Sequence, residues 1–185
     1  MNYVDIPTME TQRLILRKLR RSDTEHYFQR LGSDEAVTRY MLFDPHRDIS
    51  QSEASIEKAL NRYAQGRCYR WAVALKEDDS LIGVFELLRF QETDQSCSFA
   101  YMLSRDHWNR GYGTEVMKAA FRFAFDVLGV QKIEADHMAD NPASGAVMRK
   151  AGMRYVGTIH QKYEKHGVFH DACCYEIRKE DFHDR

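Results

Sequence analysis

The chain has 185 residues and is 43% apolar, enough to bury the core of one globular domain spanning residues 1–185 and short for two. Its 27 Lys and Arg against 28 Asp and Glu leave a net charge of -1, which argues against the broad basic footprint of a nucleic-acid or anionic-membrane binder. No targeting segment or spanning run of roughly 20 apolar residues is readable, and Cys68, Cys97, Cys173 and Cys174 lack Cys-x-x-Cys spacing, so a cytoplasmic protein with reduced thiols and no metal site is expected.

Arg13 to Arg17 alternates apolar and charged residues and predicts a strand, and Ser22-Asp23 then offers an N-cap for an amphipathic helix through Leu31. A second helix is expected from Ser50 or Ser52, with Ile56, Leu60 and Tyr63 on one face, to a stop near Gly66. Tyr69 to Leu75, Leu81 to Leu88 and Ser96 to Leu103 read as an antiparallel meander. Gly113 to Leu128 predicts a long helix whose apolar face carries Val116, Ala119, Ala120, Phe123, Ala124 and Val127. Lys132 to His137 is a short strand, Ala143 to Lys150 a short helix closed by Gly152, and Tyr155 to Tyr163 with Ala172 to Arg178 a final strand pair turning near His166-Gly167. The order β-α-α-β-β-β-α-β-α-β-β indicates an α+β layer fold on a mixed sheet.

Two features carry chemistry. Asn109-Arg110-Gly111-Tyr112-Gly113-Thr114 lies between a predicted strand and the start of the long helix, where unpaired N–H groups and the helix dipole favour an anion and glycine lets the backbone come close. There is no Gly-Lys-Ser/Thr, Val116 stands where a dinucleotide fingerprint has its third glycine, and the preceding strand belongs to a meander and not to a βαβ unit. By its residues alone the loop is either a phosphate site or a plain turn. The second feature is Asn141-Pro142-Ala143-Ser144, which by itself is also an ordinary N-cap with proline in the first turn.

In order and separation, Thr11-Gln-Arg-Leu-Ile-Leu-Arg17, Tyr40-Met41, Trp71, Leu81-Ile-Gly83, Tyr101, Arg110-Gly-Tyr-Gly-Thr-Glu115, Ile133-Glu-Ala135, Asn141-x-x-Ser144 and Lys150-Ala-Gly-Met153 closely resemble GNAT-superfamily N-acetyltransferases of the RimJ/RimL branch, over nearly the whole chain. The resemblance implies a mostly antiparallel central sheet with a splayed parallel strand pair, flanked by helices, and acetyl-CoA as acyl donor. It implies that the strands at Ser96 to Leu103 and Lys132 to His137 part to take the pantetheine arm against the backbone of Met102 and Leu103. Trp108, Asn109, Arg110, Gly111, Tyr112, Gly113 and Thr114 would surround the pyrophosphate, with Asn141 on the pantetheine amides, Ser144 at the sulfur and Lys150 towards the nucleotide phosphates. The sequence departs from the pattern at Asn109, where glycine is frequent, and at Ser98 and Ala100, where the branch often has Glu and Gly; Trp108 stands where the wider superfamily has Gln or Arg.

Acyl transfer to an amine needs the amine neutral, a donor for charge building on the carbonyl oxygen, and a donor to the departing sulfur. Deprotonating an α-amino group at pH 7 costs about 1.4 kcal/mol, against about 4.6 for a lysine-like amine. The resemblance implies direct attack without an acyl-enzyme. Glu86 and Glu134 are the candidate bases, Ser144 the donor to sulfur, and Tyr40, Phe43 and Trp71 candidate lining of an acceptor pocket. The acceptor is expected to be a primary amine, on a protein N-terminus or a small molecule; an acidic groove would favour a polyamine. The alternative is a non-catalytic acyl-CoA-binding or sensing module on the same fold. A homodimer is possible on this fold.

Overall fold

The computed structural model describes residues 1–66 and 68–183. A short strand β1 (Met9–Glu10) precedes β2 (Leu14–Arg17), followed by helices α1 (Thr24–Tyr27), α2 (Glu35–Thr38) and α3 (Ile49–Ala64). The meander is β3 (Tyr69–Leu75), β4 (Leu81–Gln91) and β5 (Ser96–Leu103). Then come α4 (Tyr112–Arg122), β6 (Lys132–Met138), α5 (Pro142–Lys150) and the hairpin of β7 (Arg154–Lys165) and β8 (Val168–Arg178). The strands form one sheet in the order β1-β2-β3-β4-β5-β6-β8-β7, antiparallel except where β5 meets β6. This is the expected mixed architecture, with β1 and α2 added; two and four residues are too short to show a period.

Alternation along the central strands buries both faces of the sheet. Trp71, Val73, Phe85 and Phe99 pack on one side with Val116, Met117 and Phe121 of α4, and Ala72, Val84 and Met102 on the other with Tyr27, Ile56 and Ala59. Trp71, expected as pocket lining, is therefore wholly in the core, its indole N–H donating to Pro7 O at 2.8 Å.

Three helices depart from the expected course, each for a local reason. Asp23 does not cap a helix from Ser22 to Leu31. It is buried in a two-bond ion pair with Arg17 (2.8 and 2.9 Å) and accepts from the Arg20 amide, so the segment opens as a 3-10 turn, and Ser33 bonding back to Phe28 O widens its end into a π turn. Helix α3 is capped by Asp48 instead of Ser50 or Ser52, because Asp48 accepts from Ser50 N–H while Gln51 Oε1 takes the Arg47 amide, and Ser52 is spent on His46 Nδ1 at 2.8 Å. Helix α4 ends in a π turn from Phe123 to Val127 that shifts its phase, so Phe125 and Leu128 are buried and Val127, expected on the apolar face, is exposed.

The feature that positions the site is a short seam. Strands β5 and β6 pair only over Ser96–Lys132, Cys97–Ile133 and Ser98–Glu134; from Phe99 and Ala135 onward they part. Beyond the seam the side of β5 turned to β6 has no strand to receive its backbone groups.

Candidate active site

The parting of β5 and β6 opens a gap of about 290 Å³, walled by Phe99 to Tyr101 on one strand, Ala135 to Met138 on the other, and Asn141 and Ser144 from α5. Asn141 stands at the N-cap because its carboxamide oxygen and carbonyl both accept from the Ser144 amide and Pro142 needs no acceptor in the first turn. That cap turns Ser144 inward, 8% exposed, with Oγ 3.2 Å from Tyr101 Oη. Burial raises the Tyr101 hydroxyl above its ordinary value, so the Tyr101–Ser144 pair keeps its protons and works as a donor set. Met102 and Leu103 end β5 beyond the residues that line the gap, Met102 on the wall of a second cavity, and Leu103 O accepts from the Trp108 indole at 2.7 Å.

His137 also lines the gap. Its Nδ1 lies 2.8 Å from Met138 O and so carries the proton, which leaves Nε2 as an acceptor; this atom is buried and has no partner among the described residues. That atom faces Gly145 of α5 and Tyr175 and not the opening of the gap.

The loop before α4 takes the shape its residues allow. Asn109 and Gly111 both have positive φ, 58° and 82°, which turns the chain into the helix with Gly111 as N-cap. The amides of Arg110 to Thr114 find no acceptor among the described residues, so five donors converge where the helix dipole is positive. Gly113 is required for packing: a Cβ there would lie 3.1 Å from Val147 and 3.4 Å from Leu103, and its absence lets α4 close on α5. Lys150 is exposed one turn beyond Val147. A clamp fixes the loop from behind. Glu115 accepts from Thr11 Oγ1 (2.6 Å), the Arg13 amide (2.9 Å) and Arg13 Nε (2.8 Å), while Arg13 donates to Arg110 O and lies 4.1 Å from the Tyr112 ring centroid. Burial pushes the Glu115 carboxyl up, but these donors prevail and hold it below its ordinary value.

A second cavity of about 340 Å³ lies on the sheet face covered by α1 and α3. It shares Met41, Ala100 and Tyr101 with the gap, so the two meet at the point where β5 leaves β6. Glu86 sits here with Oε1 2.5 Å from Arg62 Nη1 and Oε2 4.0 Å from Arg70 Nε. The expected lining is divided, Tyr40 in the gap and Phe43 in the cleft. Glu134 is brought to neither cavity; it is half-exposed on β6 and bonded to Lys132 at 2.9 Å. Sequence reasoning missed His137, Lys58, Arg62 and Arg70. Only Arg70 left a signal, since it pairs directly across β3 and β4 with Glu86.

Residues 13–154 match the family described as Acetyltransferase (GNAT) domain. The chain belongs to the GNAT acetyltransferase family. It is similar to the uncharacterised N-acetyltransferase YoaA of Bacillus subtilis (strain 168), with 30% identity over 94% of this chain and 97% of that protein. Among solved structures, a GNAT-family acetyltransferase from Bacillus anthracis superposes with a TM-score of 0.84 at 21% identity, covering 94% of this chain and 99% of the other. A spermidine N-acetyltransferase from Vibrio cholerae, solved in complex with CoA and spermine, superposes with a TM-score of 0.77 at 20% identity over 92% and 98%. As a GNAT acetyltransferase the protein is an enzyme that uses acetyl-CoA. The donor set described above fits that molecule: unpartnered amides for phosphate, an unpaired strand edge for an amide-bearing arm, and hydroxyls beside the gap. Among the described residues, no helix is long and apolar enough to cross a membrane.

Proposed function

We propose that this GNAT enzyme transfers an acetyl group to a primary amine by direct attack, the amine entering through the cleft over β3 and β4 and the donor through the gap beside β6. The observation that carries this reading is that the two cavities meet at Ala100 and Tyr101, beside Ser144. Acetyl-CoA supplies the acetyl group already activated as a thioester. Asn141 and the β5 edge at Met102 and Leu103 hold the arm that carries it, the 110–114 amides with Arg110 and Lys150 hold its phosphates, and Trp108 and Asn109 shape the loop. Ser144, backed by the Tyr101 hydroxyl, holds a proton at the atom nearest the departing sulfur.

Of the two carboxylate candidates, Glu86 alone lines a cavity and is the group that takes up the amine proton. Its demand is modest where the acceptor is an α-amine, at about 1.4 kcal/mol near pH 7. Direct attack is supported by the cysteines, none of which lines either cavity among the described residues. Burial pushes the Cys97 thiol up to about 12 and Cys68 above its ordinary value, far from a reactive thiolate. The amine named in the Vibrio cholerae relative, spermidine, belongs to the same broad acceptor class, as does a protein N-terminus.

Calorimetric titration of wild type and Gly111→Glu with acetyl-CoA tests the assignment. Micromolar binding lost by at least a hundredfold in the variant is expected, since the new carboxylate meets the phosphates at a positive-φ position. No binding by wild type would overturn it.

A further inference from the structure

The cleft that meets the gap at Ala100 and Tyr101 carries an unusual balance of charge for an amine site. Lys58, Arg62 and Arg70 line it against one carboxylate, Glu86. Arg62 at 2.5 Å takes up most of what Glu86 offers, and Arg70 approaches it only at 4.0 Å. Arg70 is instead held in place by its own face of the cleft, Nη2 donating to Tyr27 Oη at 3.0 Å and Ser55 Oγ at 3.4 Å, while Nη1 has no partner among the described residues. Lys58 is exposed on α3 and has no carboxylate partner among the described residues. His46, on the aromatic wall with Tyr27 and Phe43, is held neutral-favouring by burial and adds no acid. Across the junction, Arg89 is a further cation, and the gap's carboxylate Asp136 is spent on Lys162 at 2.6 Å and on the Tyr163 hydroxyl.

We infer that the acceptor is an amine that also bears an anionic group, a carboxylate or phosphate, seated against Lys58 and Arg70, and that polyamines are poor acceptors. This rests on the proposed use of the cleft as the amine entry. A second ammonium in a cleft with three cations and one committed carboxylate meets like charge, whereas an anion there finds the Arg70 guanidinium held in place by Tyr27 and Ser55, with Nη1 unpartnered among the described residues, and the Lys58 ammonium. The cleft's net positive charge is the wrong sign for a ligand such as spermidine, and its one carboxylate, Glu86, is bonded to Arg62.

Three six-carbon amines of matched length isolate the far-end group: 6-aminohexanoate, hexylamine and 1,6-diaminohexane. Steady-state acetylation at pH 8 is expected to rank them in that order, with kcat/KM at least tenfold higher for the aminocarboxylate than for the diamine. Lys58→Glu, a change at an exposed helix position, is expected to shrink that ratio at least fivefold, while its acetyl-CoA affinity, read by calorimetry, stays within twofold. Equal rates, or a preference for the diamine, overturns the inference and leaves the acetyltransferase reading intact. Where turnover of all three is too slow to rank, each is titrated into the coenzyme A complex: binding of 6-aminohexanoate alone supports the inference, and binding of the diamine, or of none, overturns it. Failure of coenzyme A itself to bind overturns both.

Discussion

Both cavities have apolar and aromatic walls, but the gap beside β6 adds hydroxyls, a carboxamide and only Arg89 and Asp136 as charged groups, whereas the cleft over β3 and β4 adds Lys58, Arg62, Arg70 and Glu86. On the proposed reading the first takes a ligand whose chemistry is constant, and it offers hydroxyls and strand-edge groups that the fold leaves unpaired. The second discriminates among ligands by net charge, which single substitutions on α3 and β3 can reset. A cavity made of backbone is changed only by disturbing packing, and one made of long charged side chains is changed without it.

The most damaging way to test that contrast is Gly145→Ala. A Cβ there would lie 2.6 Å from His137 Nε2 and 2.7 Å from Tyr175 Oη, so α5 must move away from the gap. A loss of about 3 kcal/mol in urea unfolding is expected, together with acetyl-CoA affinity weakened more than tenfold. Retention of both would show that the gap does not depend on close packing. Next in size is Ser144→Ala, expected to lower kcat roughly a hundredfold with acetyl-CoA affinity within threefold. A change in affinity alone would make Ser144 a binding residue and nothing more.

Glu115→Gln tests a charged group behind the loop at the start of α4, bonded to Thr11 and Arg13. Its four donors include the Arg13 guanidinium, and removing the charge should cost about 2 kcal/mol. The sign is fixed by the depressed carboxyl. The stability is complete above its unfolded value near 4.5 and lost as pH falls through the lower folded value, so wild type and variant should converge in stability at strongly acid pH and differ at pH 7. Smallest is Glu86→Gln, expected to cut kcat/KM about tenfold at pH 7 and less at pH 9, where more of the amine arrives neutral. A loss independent of pH would assign Glu86 to holding Arg62 and not to proton uptake.

The same contrast explains what could be read from the sequence. The gap announces itself through residues with few other uses in that order, Gly111 and Gly113 before a helix and Asn141-Pro142 before another, and the strands flanking it have clear periods. The structure puts Asn141 in the wall of the gap and Gly111 and Gly113 at the start of α4, Gly113 packed against Val147 of α5. The cleft has no such marks. Arg62 lies on a helix and Arg70 on a strand, Lys58 reads as ordinary solvated charge, and only folding brings them over Glu86. Trp71 and Val127 failed for a related reason: an aromatic in a strand does not reveal which face it takes, and a π turn shifts a helical phase that periodicity assumes constant. Asp23 looked like a cap because its partner, Arg17, is fixed by the turn between them and not by spacing along a helix.

The three residue pairs that join β5 to β6 have a mechanical meaning. They act as a weld between two plates, β3 to β5 on one side and β6 to β8 on the other, each stitched by longer antiparallel pairing. The backbone link between the plates is thus confined to a few bonds near Cys97. The two plates also share one hydrophobic core, with Phe99 and Phe121 in the same cluster as Ile133 and Ile177, so the crevice is held at its width by side-chain packing as well as by that weld.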